Sequence, residues 1–98
     1  MSWNNQKSQN LFNAFLQLKT TDEVANFCRD LMTEPEIEEL SRRWEAAQLL
    51  DKNIPQREIS KKTGTSLATV SRVNQWLKRG MNGYRLVLDR VASIHHHP

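Results

Sequence analysis

The sequence predicts an all-α protein of about six helices. Three observations predict it. Apolar residues recur at helical spacing in one segment after another, several segments begin with helix-capping patterns, and no stretch sustains the apolar–polar alternation of a strand. The pair Asn82-Gly83 could turn a hairpin, but helical patterns flank it. At 98 residues the chain is expected to form a single helical domain, 1–98. A chain of this size buries only roughly 60–65% of its unfolded surface, so pairing with a second copy would add usefully to a modest core.

In the first segment Leu11, Phe12, Phe15, Leu16 and Leu18 share a helical face. Thr20 and Glu23 then have capping-box spacing, in which a hydroxyl and a carboxylate satisfy orphan amides at a helix start. Val24, Phe27, Cys28, Leu31 and Met32 follow on one face, with Cys28 expected as a small core residue. Thr33-Glu34-Pro35-Glu36 is a second capping box, with Pro in the first turn, where a helix tolerates it. Glu34, Glu36, Glu38 and Glu39 crowd that helix's positive end, which accounts for the acidic run without a catalytic role. Ile37, Leu40, Trp44, Ala47 and Leu50 form its stripe, with Trp44 in the core or at a dimer interface. Asp51-Lys52-Asn53-Ile54-Pro55 ends it.

Charge is segregated. Residues 1–51 hold five basic and nine acidic side chains, net −4, and residues 52–98 hold nine and two, net +7. A positive end of this kind suits a polyanion, whose condensed counterions Lys and Arg displace. The plainer alternative is a solvated charged face. No apolar run approaches the roughly 18 residues that span a bilayer, and the start lacks the apolar stretch of a secretory signal. One cysteine cannot form an internal disulfide, so a cytoplasmic, membrane-free protein is expected.

Residues 56–78 carry the functional signal as a helix-turn-helix. A short helix from Gln56 to Thr63 meets Gly64, which suits the left-handed backbone that ends a helix. Thr65 spans the corner and Ser66 caps the next helix, a recognition helix over 66–78. Val70, Val73 and Leu77 face inward with Leu67 at the edge, and Ile59 opposes them. Ala68, Thr69, Ser71, Arg72 and Gln75 face outward. Small residues there allow close approach to the major groove, a Thr methyl can touch a thymine methyl, and Arg can fork onto guanine. Arg57, Lys61, Lys62, Lys78 and Arg79 flank the unit for phosphate contact, and residues 52–79 carry net +6 from seven basic side chains and Glu58.

Gln56-Arg57-Glu58, Gly64 and Leu67-Ala68-Thr69-Val70-Ser71-Arg72 resemble the trp repressor superfamily. Thr33-Glu34-Pro35-Glu36, Leu40 and Arg42-Arg43 are similar to its earlier helices. The run from Ala68 to Gly80 is most similar to the YerC/YecD (TrpR-like) branch. The resemblance covers roughly residues 10–92 and implies an intertwined homodimer of six-helix chains that binds a double-stranded DNA operator as a transcriptional regulator, most simply a repressor. It places DNA contacts on Gln56, Arg57, Leu67, Ala68, Thr69, Ser71 and Lys78, with Ser60 where the family has a basic residue. It also implies an effector pocket in which Arg72 and either Arg42 or Arg43 sandwich a tryptophan indole. Here Val73 stands in place of a glycine beside that indole, and Asn74 and Trp76 replace two serines. Tryptophan is therefore not expected as corepressor and no cofactor is expected, although a smaller pocket between Arg72 and Arg42 or Arg43 would still suit a carboxylate or phosphate effector.

The remaining features point elsewhere less strongly. Trp76 is expected to pack at the helix end. His95-His96-His97 looks like a metal-binding tract or a short tag, and no metal site is expected of it. Gly64, Gly80 and Gly83 are too far apart for a phosphate loop, and no nucleophile-base pattern presents itself, so no enzyme is expected. Two alternatives remain: a helical protein- or RNA-interaction module with a basic face, and the DNA-binding part of a transposase.

Overall fold

Residues 2–95 are described by the computed structural model. They form α1 (Gln6–Phe15), α2 (Thr21–Leu31), α3 (Glu34–Asp51), α4 (Gln56–Thr63), α5 (Leu67–Arg79) and α6 (Gly83–His95), with no strand among the described residues. His96 and His97 of the histidine tract lie outside them. The chain divides into two compact units, Met1–Ile37 and Glu38–Pro98.

The first unit is built from caps. Asn5 opens α1 with a capping box: Ser8 donates its amide to Asn5 Oδ1 at 3.1 Å, and Asn5 donates its own to Ser8 Oγ at 2.8 Å. The apolar spacing extended to Leu18, but α1 ends at Phe15. Thr20 must be extended (φ −131°, ψ 160°) to cap α2, so the chain leaves the helix beforehand. Thr20 Oγ1 accepts the Glu23 amide at 3.1 Å, whereas the Glu23 carboxylate reaches past Thr20 to the Lys19 amide at 2.9 Å, one residue further back than the expected box. Phe15 and Phe27 meet edge to face with centroids 5.2 Å apart, which joins α1 to α2. Cys28 is half-buried rather than a core residue, because neither helix buries any residue fully. The Thr33–Glu36 box forms as expected, with bonds of 2.8 and 3.3 Å. Accepting the Thr33 amide holds the Glu36 carboxyl below its ordinary value.

The second unit holds the core. Ala46 and Ala47 of α3, Ile59 of α4, and Val70 and Val73 of α5 are wholly buried, and Leu88 of α6 nearly so. The expected α3 stripe is shifted: Leu40 is exposed, and the unanticipated Ala46 is buried. Two adjacent alanines thus join α3 to the core that Ile59, Val70 and Val73 build. In α5, Leu77 is only half-buried, so Val70 and Val73 carry its inner face. The end of α3 is a Schellman motif. Asn53 takes the left-handed conformation (φ 62°), its amide bonds Leu50 O at 2.9 Å, and the Ile54 amide bonds Leu49 O at 3.1 Å. Arg85 of α6 donates to both carboxylate oxygens of Asp51 at 2.8 and 3.2 Å, tying α6 to the end of α3. Among the described residues no helix is long and apolar enough to cross a membrane.

Candidate nucleic-acid interface

The helix-turn-helix lies within the second unit, and its turn is held by side chains. Gly64 closes α4 at φ 72° and donates its amide to Ser60 O at 3.1 Å. Nothing lies within 4 Å of where a Cβ would project, so glycine is required there by backbone conformation and not by space. Thr63 Oγ1 donates to Ile59 O at 2.8 Å and accepts the Thr65 amide at 3.2 Å. Ser60 Oγ donates to Thr65 O at 2.6 Å. That bond gives Ser60 a place in the turn, where a long basic side chain could not make it. Ser66 caps α5 by accepting the Thr69 amide at 3.1 Å. With Ile59, Val70 and Val73 sealed beneath, the outer face of α5 has a fixed aspect.

On that face Ala68, Arg72 and Gln75 are exposed, as is Leu67 at its edge. Thr69 and Ser71 are half-buried, and their hydroxyls are already engaged. Thr69 Oγ1 accepts from Ser66 Oγ at 3.0 Å, and Ser71 Oγ donates to Gln56 Oε1 at 2.7 Å. Arg57 of α4 and Lys78 near the end of α5 are exposed as well. Arg57, Lys61, Ser60 and Leu67 line a notch of about 240 Å³ beside the turn. Lys62 pairs with Glu58 at 3.8 Å, which leaves it less charge to offer than its neighbours. The second unit thus carries a buried apolar interior and a helix-turn-helix segment of net +6, an arrangement that can approach and neutralise a polyanion.

The residues assigned to an effector pocket are arranged differently. Val73 is fully buried as core. Arg42 pairs with Glu39 at 3.2 Å. Arg43 Nε lies 3.5 Å from the same carboxylate, close enough to pair but not aligned as a hydrogen bond. The Arg43 guanidinium sits 5.7 Å from the Trp76 ring centroid, a cation–π contact. Arg72 is exposed. None of these residues lines the larger cavity of the unit. That cavity is an open apolar cleft of about 560 Å³ between Trp44, Trp76, Gly80, Met81, Tyr84 and Val87. Trp44 and Tyr84 stack in its wall, 17° apart in plane with centroids at 6.3 Å. Burial pushes the Tyr84 hydroxyl's pKa up, against the pull of Arg43. Neither this cleft nor the Ser71–Gln56 bond is expected from the sequence. Trp44, Trp76 and Tyr84 were the available signal for the first, and nothing local signals the second.

The sequence profile of the Trp repressor protein family matches residues 6–92. The chain belongs to that family. It is 42% identical over 83 residues to the protein YerC of Bacillus subtilis, covering 85% of this chain and 80% of that one. It is 37% identical over 78 residues to a Trp operon repressor homolog of Haemophilus influenzae, covering 72% and 77%. The solved structure of a TrpR like protein from Eubacterium eligens superposes with a TM-score of 0.86 at 42% identity, covering 91% of this chain and 92% of that one. Membership of the Trp repressor family makes the chain a TrpR-like regulator. It also agrees with the resemblance drawn from Gln56-Arg57-Glu58, Gly64 and the Ala68–Gly80 run.

Proposed function

We propose that the chain is a sequence-specific DNA-binding transcriptional repressor that works as a homodimer, with α5 in the major groove of a two-fold operator. The observation that carries this reading is the outer face of α5. Ala68, Arg72 and Gln75 stand exposed over a sealed core, within a segment of net +6. Ala68, Thr69, Ser71, Arg72 and Gln75 govern sequence choice, with Arg72 able to fork onto guanine O6 and N7. Gln56, Arg57, Leu67 and Lys78 fix register and supply affinity for the backbone. The uncovered apolar side chains Phe12, Leu16, Leu31, Met81 and Ile94 support a second copy, and two-fold pairing calls for a palindromic site. Selection of duplexes from a random pool tests the reading. Arg57→Ala should weaken all duplexes and lower the salt slope by about one per lost phosphate contact. Thr69→Ala should change preference at a few base pairs. Equal weakening of every duplex by both would overturn the division of roles, and a pool from which no duplex is enriched would overturn the reading itself.

DNA binding on this reading needs no L-tryptophan. Val73 fills the position beside the implied effector, and Arg43 already lies over an indole that the chain supplies, Trp76. A tethered ring loses less freedom than a free ligand when it is held. Calorimetry with tryptophan should show no binding heat at micromolar affinity. Operator affinity should change by less than tenfold, about 1.4 kcal/mol of coupling.

A further inference from the structure

We infer that Ser71 is a positioning residue that fixes the side chain of Gln56 as a hydrogen-bond donor on the outer face of α5. The inference rests on the DNA-binding reading and adds to it a residue from α4. Gln56 opens α4, and its carboxamide would otherwise turn freely about three side-chain bonds. Ser71 Oγ donates to Gln56 Oε1 at 2.7 Å across fifteen positions of sequence, in a part-buried setting where water competes less. The bond settles which end of the carboxamide is spent. Oε1 faces Ser71, so Nε2 with its two protons is the end left to offer, and among the described residues Nε2 has no partner. Ala68, Ser71, Arg72 and Gln75 follow at three- and four-residue spacing, so the Gln56 carboxamide joins the patch they form. Ser71 has given its proton to Gln56 and cannot give it to a ligand as well.

A fixed donor pair has a definite chemical complement. It seeks acceptors: phosphate oxygens, or the acceptor edge of a base such as guanine O6 and N7 or thymine O4. It rejects the amino groups of cytosine and adenine. Thus Ser71 acts on recognition through Gln56, and a face expected to act through one helix acts partly through a residue of the other.

The test uses the full chain and a duplex that the wild-type protein enriches from a random pool. Gln56→Ala and Ser71→Ala should each weaken binding about tenfold, and the double variant should lose no more than either. Ser71→Thr keeps the hydroxyl and should retain affinity. Gln56→Glu keeps an oxygen for Ser71 but replaces the donors with a negative charge, and should bind worse than Gln56→Ala. Losses that multiply to about a hundredfold, or a Gln56→Glu protein that binds as well as wild type, would overturn the inference and leave DNA binding intact. A loss shared by all duplexes marks a phosphate as the acceptor, and a loss confined to certain base pairs marks a base edge. If no duplex is enriched, the DNA-binding reading fails first. The bond itself is then read in the free protein by nitrogen relaxation of the Gln56 carboxamide. It should be ordered in wild type and mobile in Ser71→Ala, and a mobile wild-type carboxamide overturns the inference whatever the protein binds.

Discussion

The two units of this chain are both amphipathic and helical, yet only one encloses a core. In Met1–Ile37 each helix is well capped and carries an apolar stripe, and neither buries a single residue fully. In Glu38–Pro98 four helices bring Ala46, Ala47, Ile59, Val70, Val73 and Leu88 out of water. The contrast separates helix formation from fold stability. Caps and spacing are enough to specify α1 and α2, but burial of a face is what stabilises a small domain, and α1 and α2 leave much of theirs uncovered. Phe12 stays 40% exposed, Leu16 78% and Leu31 46%. The sealed unit is the one that carries α5.

The strongest way to break this contrast is to empty the sealed core. Ile59→Ala should cost about 2–5 kcal/mol in urea denaturation at every protein concentration. A loss below about 1 kcal/mol would mean that the core does not depend on the α4–α5 contact. The first unit should respond otherwise. Leu31→Glu changes a residue already half in water, and on the homodimer reading its effect falls on assembly. The sedimenting mass at micromolar concentration should move from two chains to one. A wild-type protein already at one chain mass would remove the second copy from the account.

Smaller effects sharpen the picture within the second unit. Gly64→Ala meets no neighbour, so its cost is backbone strain alone, about 1–2 kcal/mol by thermal unfolding. Gly80→Ala should cost more, because its Cβ would collide with the Trp76 carbonyl oxygen. Thr65 lies in the turn with a buried hydroxyl that has no partner among the described residues, while its backbone groups are bonded. Thr65→Val should therefore raise the melting temperature, by about 1 kcal/mol of stability. The smallest effect concerns Asp51, whose carboxyl the Arg85 guanidinium holds below its ordinary value of 3.8. A depressed folded value stabilises above the unfolded one, and that stabilisation is lost as pH falls through the folded value. Asp51→Asn should flatten the acid limb of stability below about pH 4. At neutral pH its effect should stay under about 1 kcal/mol, since both partners are more than a third exposed.

The sequence by itself determined the helices and the turn of the helix-turn-helix. Thr20, Thr33 and Ser66 cap neighbours three residues away, and Gly64 adopts φ 72° for want of a Cβ. Signals of that range are written in consecutive residues, which is why α4 begins and ends where expected and the Ser66 cap falls in place. Its small misses are also local: Glu23 bonds Lys19 and not Thr20, and α1 stops short of Leu18. Tertiary structure alone decided which apolar residues enclose the core. Helical period favours Leu40 over Ala46 for the α3 stripe, yet Ala46 is the one that packs into the cluster with Ile59, Val70 and Val73. It also decided the side-chain pairings at the candidate interface and around the apolar cleft. Ser71 meets Gln56, Arg43 meets Trp76, and Trp44 meets Tyr84 across 15, 33 and 40 positions of sequence. Periodicity tells a side chain which way to face along its own helix. What it meets there depends on how helices cross, and that is settled by packing of the whole unit.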